Sequence, residues 1–231
     1  MRKKGTEPVD IAYFTDPLCP RSWAMEPMIA SLRSEEGVRV RSVFTGWLPS
    51  VASRSVESSK REWADAGGLT KARIDVGYWD RVGPKTSLLA SAAVKAAVLQ
   101  GAAKGETYLS AVRQEAFERD SDVSDPKVLI KLAQSSGLRE DLFRTDLGVG
   151  RYTVDQILQA VGSATPLSEA LWWFGRRTML RSWDALAEDL RLTEEQRLSS
   201  PAFRLSRGTK DATLAGFVTP AKMRTALESV R

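Results

Sequence analysis

The sequence contains no histidine and a single cysteine, Cys19. Without histidine there can be no Ser-His-Asp triad, no Cys-His pair and no metal site with a histidine ligand. A single cysteine excludes an internal disulfide, a cysteine-based zinc cluster and an iron–sulfur site. Acid–base chemistry would therefore fall to carboxylates, lysine or tyrosine, and we expect no metal and no tightly bound cofactor.

Long apolar runs are also missing from the sequence. No stretch approaches the length of a membrane span, and residues 1–8 are polar and lack the apolar core of a signal peptide. The absence of such segments predicts a cytoplasmic protein that does not bind a membrane.

The charge is small and dispersed. The chain carries 34 basic and 29 acidic residues, a net charge of +5, and its longest basic run is Arg2-Lys3-Lys4. A dispersed excess of this kind is typical of a solvated surface, so we expect no nucleic-acid partner. The 231 residues, of which 42% are hydrophobic, are enough for a substantial buried core.

The most informative stretch surrounds Cys19. A β-branched and aromatic run from Val9 to Phe14 ends at the turn signal Asp16-Pro17, and Cys19 follows just before apolar residues at helical spacing. Pro20 suits the first turn of a helix, which the spacing extends to Leu32. We therefore place Cys19 where a strand passes into a helix, and we expect an exposed thiol whose pKa the helix N-terminus lowers.

The rest of the chain shows strand, helix and strand patterns in turn. Alternating residues predict a second strand over 38–44, parallel to the first, and residues 50–86 are predicted as a surface connection pinned by Trp63, Tyr78 and Trp79. Further patterns predict helices over 87–104, 106–119, 126–137, 139–147, 154–161 and 167–190, a strand hairpin over 202–215 and a closing helix after Thr219-Pro220.

The stretch Asp16-Pro17-Leu18-Cys19-Pro20, followed by Trp23-Ala24 and Glu26-Pro27, resembles a family motif, D-P-L-C-P-x-C-W. The family is the DsbA-like branch of the thioredoxin fold, which includes cytosolic dithiol isomerases, protease-adaptor relatives and the group of 2-hydroxychromene-2-carboxylate isomerases and kappa-class glutathione transferases. Ser22 stands where the motif has its second cysteine.

The resemblance implies an α/β, thioredoxin-like fold with a helical insertion domain. It implies one domain over 1–231, with the thioredoxin-like part at 8–50 and 198–231 and the helical insertion at 86–197. It also implies that the Ser200-Pro201 bond is cis and lies beside Cys19. The catalytic candidates are Cys19 and Ser22, and the substrate-binding candidates are Pro20, Arg21, Trp23, Ser200 and Pro201.

A lone thiol limits the chemistry of such a site. Cys19 can form only a mixed disulfide that an outside thiol must resolve, so dithiol oxidase activity is not expected. The first interpretation is a monothiol thiol-disulfide oxidoreductase or isomerase. Its substrate would be a protein or a small thiol or disulfide, and glutathione is the candidate co-substrate.

Two alternatives stay open. One is a catalytically degenerate adaptor that binds a protein partner through the groove beside Pro201 and the helical insertion. The other is a kappa-class-like glutathione transferase or isomerase in which Ser22 or Cys19 supports glutathione, although such relatives usually have serine at the position of Cys19. The cluster Trp172-Trp173-Phe174 with Arg176-Arg177 is either core or a ligand or partner surface. The oligomeric state is left open.

Overall fold

The computed structural model describes residues 7–49, 53–161 and 166–231. Within them a four-stranded sheet has the order β2-β1-β3-β4. The strands are β1 (Val9–Thr15), β2 (Val38–Phe44), β3 (Ala202–Arg207) and β4 (Lys210–Ala215). Strand β1 runs parallel to β2, with Val9 opposite Val38, and antiparallel to β3, with Tyr13 opposite Phe203. Strands β3 and β4 form the predicted hairpin. The mixed sheet confirms the predicted α/β, thioredoxin-like class.

Helices flank the sheet and fill the long connection between β2 and β3. Two short segments follow Cys19, and a helix closes the chain: α1 (Pro20–Ala24), α2 (Glu26–Arg33) and α12 (Pro220–Val230). The connection holds α3 (Val56–Gly67), α4 (Tyr78–Arg81), α5 (Leu88–Val98), α6 (Ala102–Arg119), α7 (Pro126–Ser135), α8 (Glu140–Leu147), α9 (Val154–Val161), α10 (Leu167–Thr178) and α11 (Arg181–Gln196). In the described parts of the chain, none of the helices combines the length and apolar character needed to cross a bilayer.

The alternation along the strands builds two layers. Ile11 and Tyr13 point to the face covered by α2 and α12, where they join Ile29 and Leu227 in one core. Phe14 points to the opposite face, toward α11. A larger core fills the helical connection and includes Leu18, Trp23, Phe44 and Leu48 at the strand ends. The assignment of residues 86–197 to a helical insertion domain stays a prediction.

Three of the predicted helices are interrupted. The segment predicted over 87–104 ends at Val98, and α6 starts after Gly101, whose φ of 141° suits glycine. The segment predicted over 167–190 breaks at Met179, which has a left-handed φ of 58°. The segment after Cys19 breaks at Met25. The apolar spacing runs through the last two breaks because residues on both sides still face a buried core, so spacing alone does not reveal them.

The connection after β2 is anchored as predicted. Trp63, Tyr78 and Trp79 are buried, and the Trp63 ring stacks on Tyr78 at 5.1 Å between centroids. Trp63 also stacks on Phe117 of α6 at 4.5 Å. These contacts fix the connection against the helices that surround the start of α1.

Candidate functional site

Cys19 lies between the end of β1 and Pro20, the first residue of α1, as predicted. Its environment differs from the prediction because the residue is fully buried, with an exposed fraction of 0%. Burial raises the pKa of the Cys19 thiol, and the nearby Ser22 and Ser200 hydroxyls oppose this with smaller effects. The expectations of an exposed thiol and a lowered pKa are therefore wrong. The loss of water around the sulfur outweighs what a helix of five residues can supply.

Two hydroxyl groups lie beside the sulfur. The Ser22 and Ser200 side chains are close enough to favour the Cys19 thiolate, yet neither hydroxyl oxygen meets hydrogen-bond geometry with any group of the described chain. The Ser200-Pro201 bond is cis, as the resemblance implied. The structure therefore brings Cys19, Ser22 and Ser200 together, and their assigned roles stay predictions.

The other predicted binding residues occupy different environments. Trp23 is buried, its ring stacks on Phe117 at 5.6 Å, and its indole N–H donates to the Arg73 carbonyl oxygen at 3.2 Å. Pro20 is buried as well, whereas Arg21 is half-buried. The Trp23 side chain is thus part of the packing that supports α1, and the predicted substrate contacts of these residues remain predictions.

Asp16 is a site residue that the sequence presents only as a turn residue. Its buried carboxylate accepts hydrogen bonds from the Leu18 N–H at 2.9 Å, the Trp47 N–H at 2.9 Å and the Ser87 hydroxyl at 2.8 Å. Burial raises the pKa of Asp16 from 3.8 to about 6, although the three hydrogen bonds act to lower it. One side chain thus joins the Cys19 turn to the segment after β2 and to the start of α5.

A buried arginine supports the same turn from the helical side. Arg113 of α6 is fully buried and donates to the Thr15 hydroxyl at 2.5 Å and to the Asp16 carbonyl oxygen at 3.3 Å. It also forms an ion pair with Glu26 of α2. Burial acts to lower the pKa of Arg113, but the negative charge of Glu26 and its neighbours raises it overall. The guanidinium therefore stays charged and fixes the backbone that precedes Cys19.

A carboxylate also acts electrostatically on the Cys19 thiol. Glu62 of α3 pairs with Arg54 and accepts a hydrogen bond from the Trp47 indole N–H at 3.3 Å. Its charge adds a small upward contribution to the Cys19 pKa. Among the described residues, no group of three acidic or cysteine side chains is placed to hold a metal ion. The site therefore offers a buried thiol whose raised pKa favours the protonated form. Two hydroxyls flank it, and the buried Arg113 guanidinium is close enough to interact with it electrostatically.

Curated relatives match about three fifths of this chain. The ClpXP adapter protein SpxH of Halalkalibacterium halodurans is 31% identical over 156 residues, which is 63% of this chain and 51% of the relative. The ClpXP adapter protein SpxH of Bacillus subtilis is 29% identical over 150 residues, 61% of this chain and 49% of the relative. The chain spans about half the length of the curated relatives it matches.

Solved structures share the fold across the whole chain. The cytosolic disulfide reductase DsbM from Pseudomonas aeruginosa aligns with a TM-score of 0.62 at 19% identity, over 95% of this chain and 97% of that one. Its structure with GSH also aligns with a TM-score of 0.62, at 18% identity over 95% and 97% of the two chains. The family model described as thioredoxin matches residues 13–158, from β1 through the Cys19 turn to α9. The chain therefore belongs to the thioredoxin family, and it has the DsbA-like fold that the resemblance implied.

Proposed function

We propose that this chain is a protein-binding adaptor built on a thioredoxin-like fold that has lost dithiol chemistry. The observation that carries the proposal is the state of Cys19, the only cysteine, which is buried and has a raised pKa. Thiol exchange requires a thiolate that reaches the sulfur of a disulfide. Cys19 in this conformation meets neither requirement, so we assign the thioredoxin-like architecture to recognition.

The names of the curated relatives support the same proposal. They are ClpXP adapter proteins, and each matches about three fifths of this chain. We therefore extend the proposal to a protein partner that the adaptor presents to a protease of the ClpXP type. Because about half of each relative has no counterpart here, both the partner and the protease belong to the proposal.

A monothiol, glutathione-linked oxidoreductase is the second candidate, and the free Ser22 and Ser200 hydroxyls favour it. In that function Cys19 thiolate attacks a protein–glutathione mixed disulfide and releases the protein thiol. A second glutathione then attacks the Cys19–glutathione bond, which yields glutathione disulfide and restores Cys19. The two hydroxyls would donate to the sulfur once movement of the surrounding segments exposes it. A kappa-class-like glutathione transferase or isomerase, in which Ser22 or Cys19 supports glutathione, remains an alternative.

The Cys19→Ser variant separates the two candidates. For the adaptor, wild type and variant should retain the same protein partners from the source cells under reducing conditions, with equal dissociation constants for a purified partner. Neither should show glutathione-dependent reduction of a mixed disulfide above the uncatalysed rate. Turnover that disappears in Cys19→Ser, or partners that bind only through Cys19, would instead establish the monothiol function.

A further inference from the structure

The surface of α10 exposes two adjacent tryptophans. Trp172 and Trp173 are 38% and 54% exposed, whereas their neighbour Phe174 is buried against Trp183. Of the two interpretations left open by the sequence, core packing is therefore wrong for both tryptophans. Met179, which follows the helix in a left-handed conformation, is 85% exposed. Large apolar side chains gathered in this way are typical of an interaction surface.

The two tryptophans face different grooves. Trp173 lines a cavity of about 700 Å³ between α9 and α10, together with Arg177. Trp172 lines another cavity, of about 540 Å³, between α10 and α11. The Arg176 guanidinium lies 5.5 Å from the centre of the Trp172 ring. Because residues four apart share a helix face, α10 carries two parallel pairs, Trp173 with Arg177 and Trp172 with Arg176.

Charge distinguishes the α9–α10 groove from its neighbour. Among the described residues, its lining contains aromatic side chains, Gln156, Gln159 and Arg177, but no carboxylate. The Arg151 guanidinium lies at its edge, 5.9 Å from the centre of the Tyr152 ring. Within the described ranges neither arginine forms an ion pair. The α10–α11 cavity, by contrast, is lined by three glutamates: Glu169, Glu188 and Glu194. The first groove is therefore complementary to negative charge.

We infer that the groove between α9 and α10 docks an acidic amphipathic helix of a partner protein. This inference rests on the proposed adaptor function and names its docking surface. Helix α9 has 8 residues and α10 has 12, so the groove is about 12 to 18 Å long and matches two to three turns of a partner helix. The apolar face of that helix contacts Trp173 and Tyr152, while its carboxylate pairs with Arg177. Tryptophan and arginine are the residue types that most often anchor such contacts.

A peptide selection tests the inference directly. A phage-displayed library of peptides about 16 residues long is selected on the wild-type chain and depleted on the Trp173→Ala/Arg177→Glu double variant. We expect enriched peptides with acidic residues and with apolar residues at spacings of about three, four and seven. An enriched peptide should bind each single variant, Trp173→Ala or Arg177→Glu, at least about 10-fold more weakly than the wild type.

The matched controls are Trp172→Ala and Arg176→Glu, which remove the same side chains from the neighbouring helix face. They should change the peptide dissociation constant by less than about 3-fold. Thermal unfolding of every variant is measured alongside. If Trp173→Ala is destabilised, peptide binding is compared between Arg177→Glu and Arg176→Glu, which change exposed side chains.

Several outcomes would overturn the docking site. They are enrichment of basic peptides, equal binding by the double variant and the wild type, equal losses in the Trp172 and Trp173 variants, and failure to enrich any peptide. Binding of a labelled single-stranded oligonucleotide, abolished by Arg177→Glu, would assign the groove to nucleic acid instead. A double variant that still binds the partner of the Cys19→Ser experiment overturns this site but leaves the adaptor function standing. Partner loss in Cys19→Ser overturns the function itself.

Discussion

The Ser87 hydroxyl donates a hydrogen bond of 2.8 Å to the Asp16 carboxylate, across 71 positions of sequence. This bond ties the turn before Cys19 to the first residues of α5. The same carboxylate accepts from the Trp47 N–H, so three segments share one buried anion. The position of Cys19 therefore depends on the Asp16 carboxyl group. Burial removes the hydration of this group and so disfavours its charged form.

Asp16 should give the protein a measurable pH dependence. Its pKa in the folded state, about 6, lies above the usual 3.8, so between these values the native state binds more protons than the unfolded state. Stability therefore falls as the pH rises through this window, by about 3 kcal/mol for this group alone, since one pKa unit corresponds to about 1.4 kcal/mol.

Asp16→Asn isolates this contribution. The amide keeps the shape but has only one acceptor oxygen, so its NH2 group faces the N–H of either Leu18 or Trp47. We therefore expect a loss of about 1–3 kcal/mol in the free energy of unfolding. Because asparagine does not titrate, the loss should be larger near pH 4 than near pH 7.5 in urea unfolding. The surface variant Asp10→Asn, which loosens an exposed pair with Arg39, is the control. A loss of unfolding free energy that stays constant or grows toward neutral pH would contradict the raised pKa of Asp16.

Removal of the buried Arg113 guanidinium should be costly. Arg113→Met leaves Glu26 and the Thr15 hydroxyl without their partner, and we expect a loss of about 3–5 kcal/mol in unfolding free energy. Arg119→Met, on the same helix, breaks an exposed pair with Glu115 and should change stability by less than about 1 kcal/mol. Similar midpoints for the two variants in urea unfolding would show that Arg113 contributes no more than a surface charge.

The Cys19 thiol should react slowly in the native protein. Because burial raises its pKa, alkylation by iodoacetamide should follow a pH profile whose midpoint lies above that of the urea-unfolded chain. Ser22→Ala should move the native midpoint further upward, since the hydroxyl favours the thiolate. Rates are followed by mass spectrometry of the single modified residue. A native midpoint below the unfolded one would restore the expectation of an activated thiol.

The Ser22→Cys variant tests the geometry of the family motif. The Ser22 side chain lies beside the Cys19 sulfur, so a sulfur placed there should close a disulfide under mild oxidant. Loss of two hydrogens by mass spectrometry reports the bond. Because Cys19 is buried, the adaptor proposal predicts no thiol-exchange activity for the variant, and a gain of that activity would favour the thiol-disulfide oxidoreductase instead. Ser31→Cys, at an exposed position of α2, is the control that should stay reduced within the chain. A bond without exchange activity would strengthen the adaptor proposal, and the absence of a bond would show that the motif geometry is not retained.

Local sequence signals were enough for the framework of this protein. A β-branched and aromatic run identified β1, alternation identified β2, and helical spacing identified α9 and α12. The Asp16-Pro17 turn with Pro20 placed Cys19 at the strand–helix junction. The family motif added the fold and the cis bond before Pro201. These features are set by residues a few positions apart, for which backbone preferences and turn chemistry act within the sequence itself.

Tertiary structure alone decided how that framework behaves chemically. Whether Cys19 carries a reactive thiolate depends on desolvation by residues that pack over it, and no pattern around position 19 reports their approach. Ser87, one partner of Asp16, lies 71 positions away in the sequence, and Glu26, one partner of Arg113, lies 87 positions away. Packing by distant segments also decides burial on α10, so helical spacing could not show which of its aromatic side chains points into the core. Burial is a property of the assembled layers, and it determined that Phe174 packs in the core while Trp172 and Trp173 face outward.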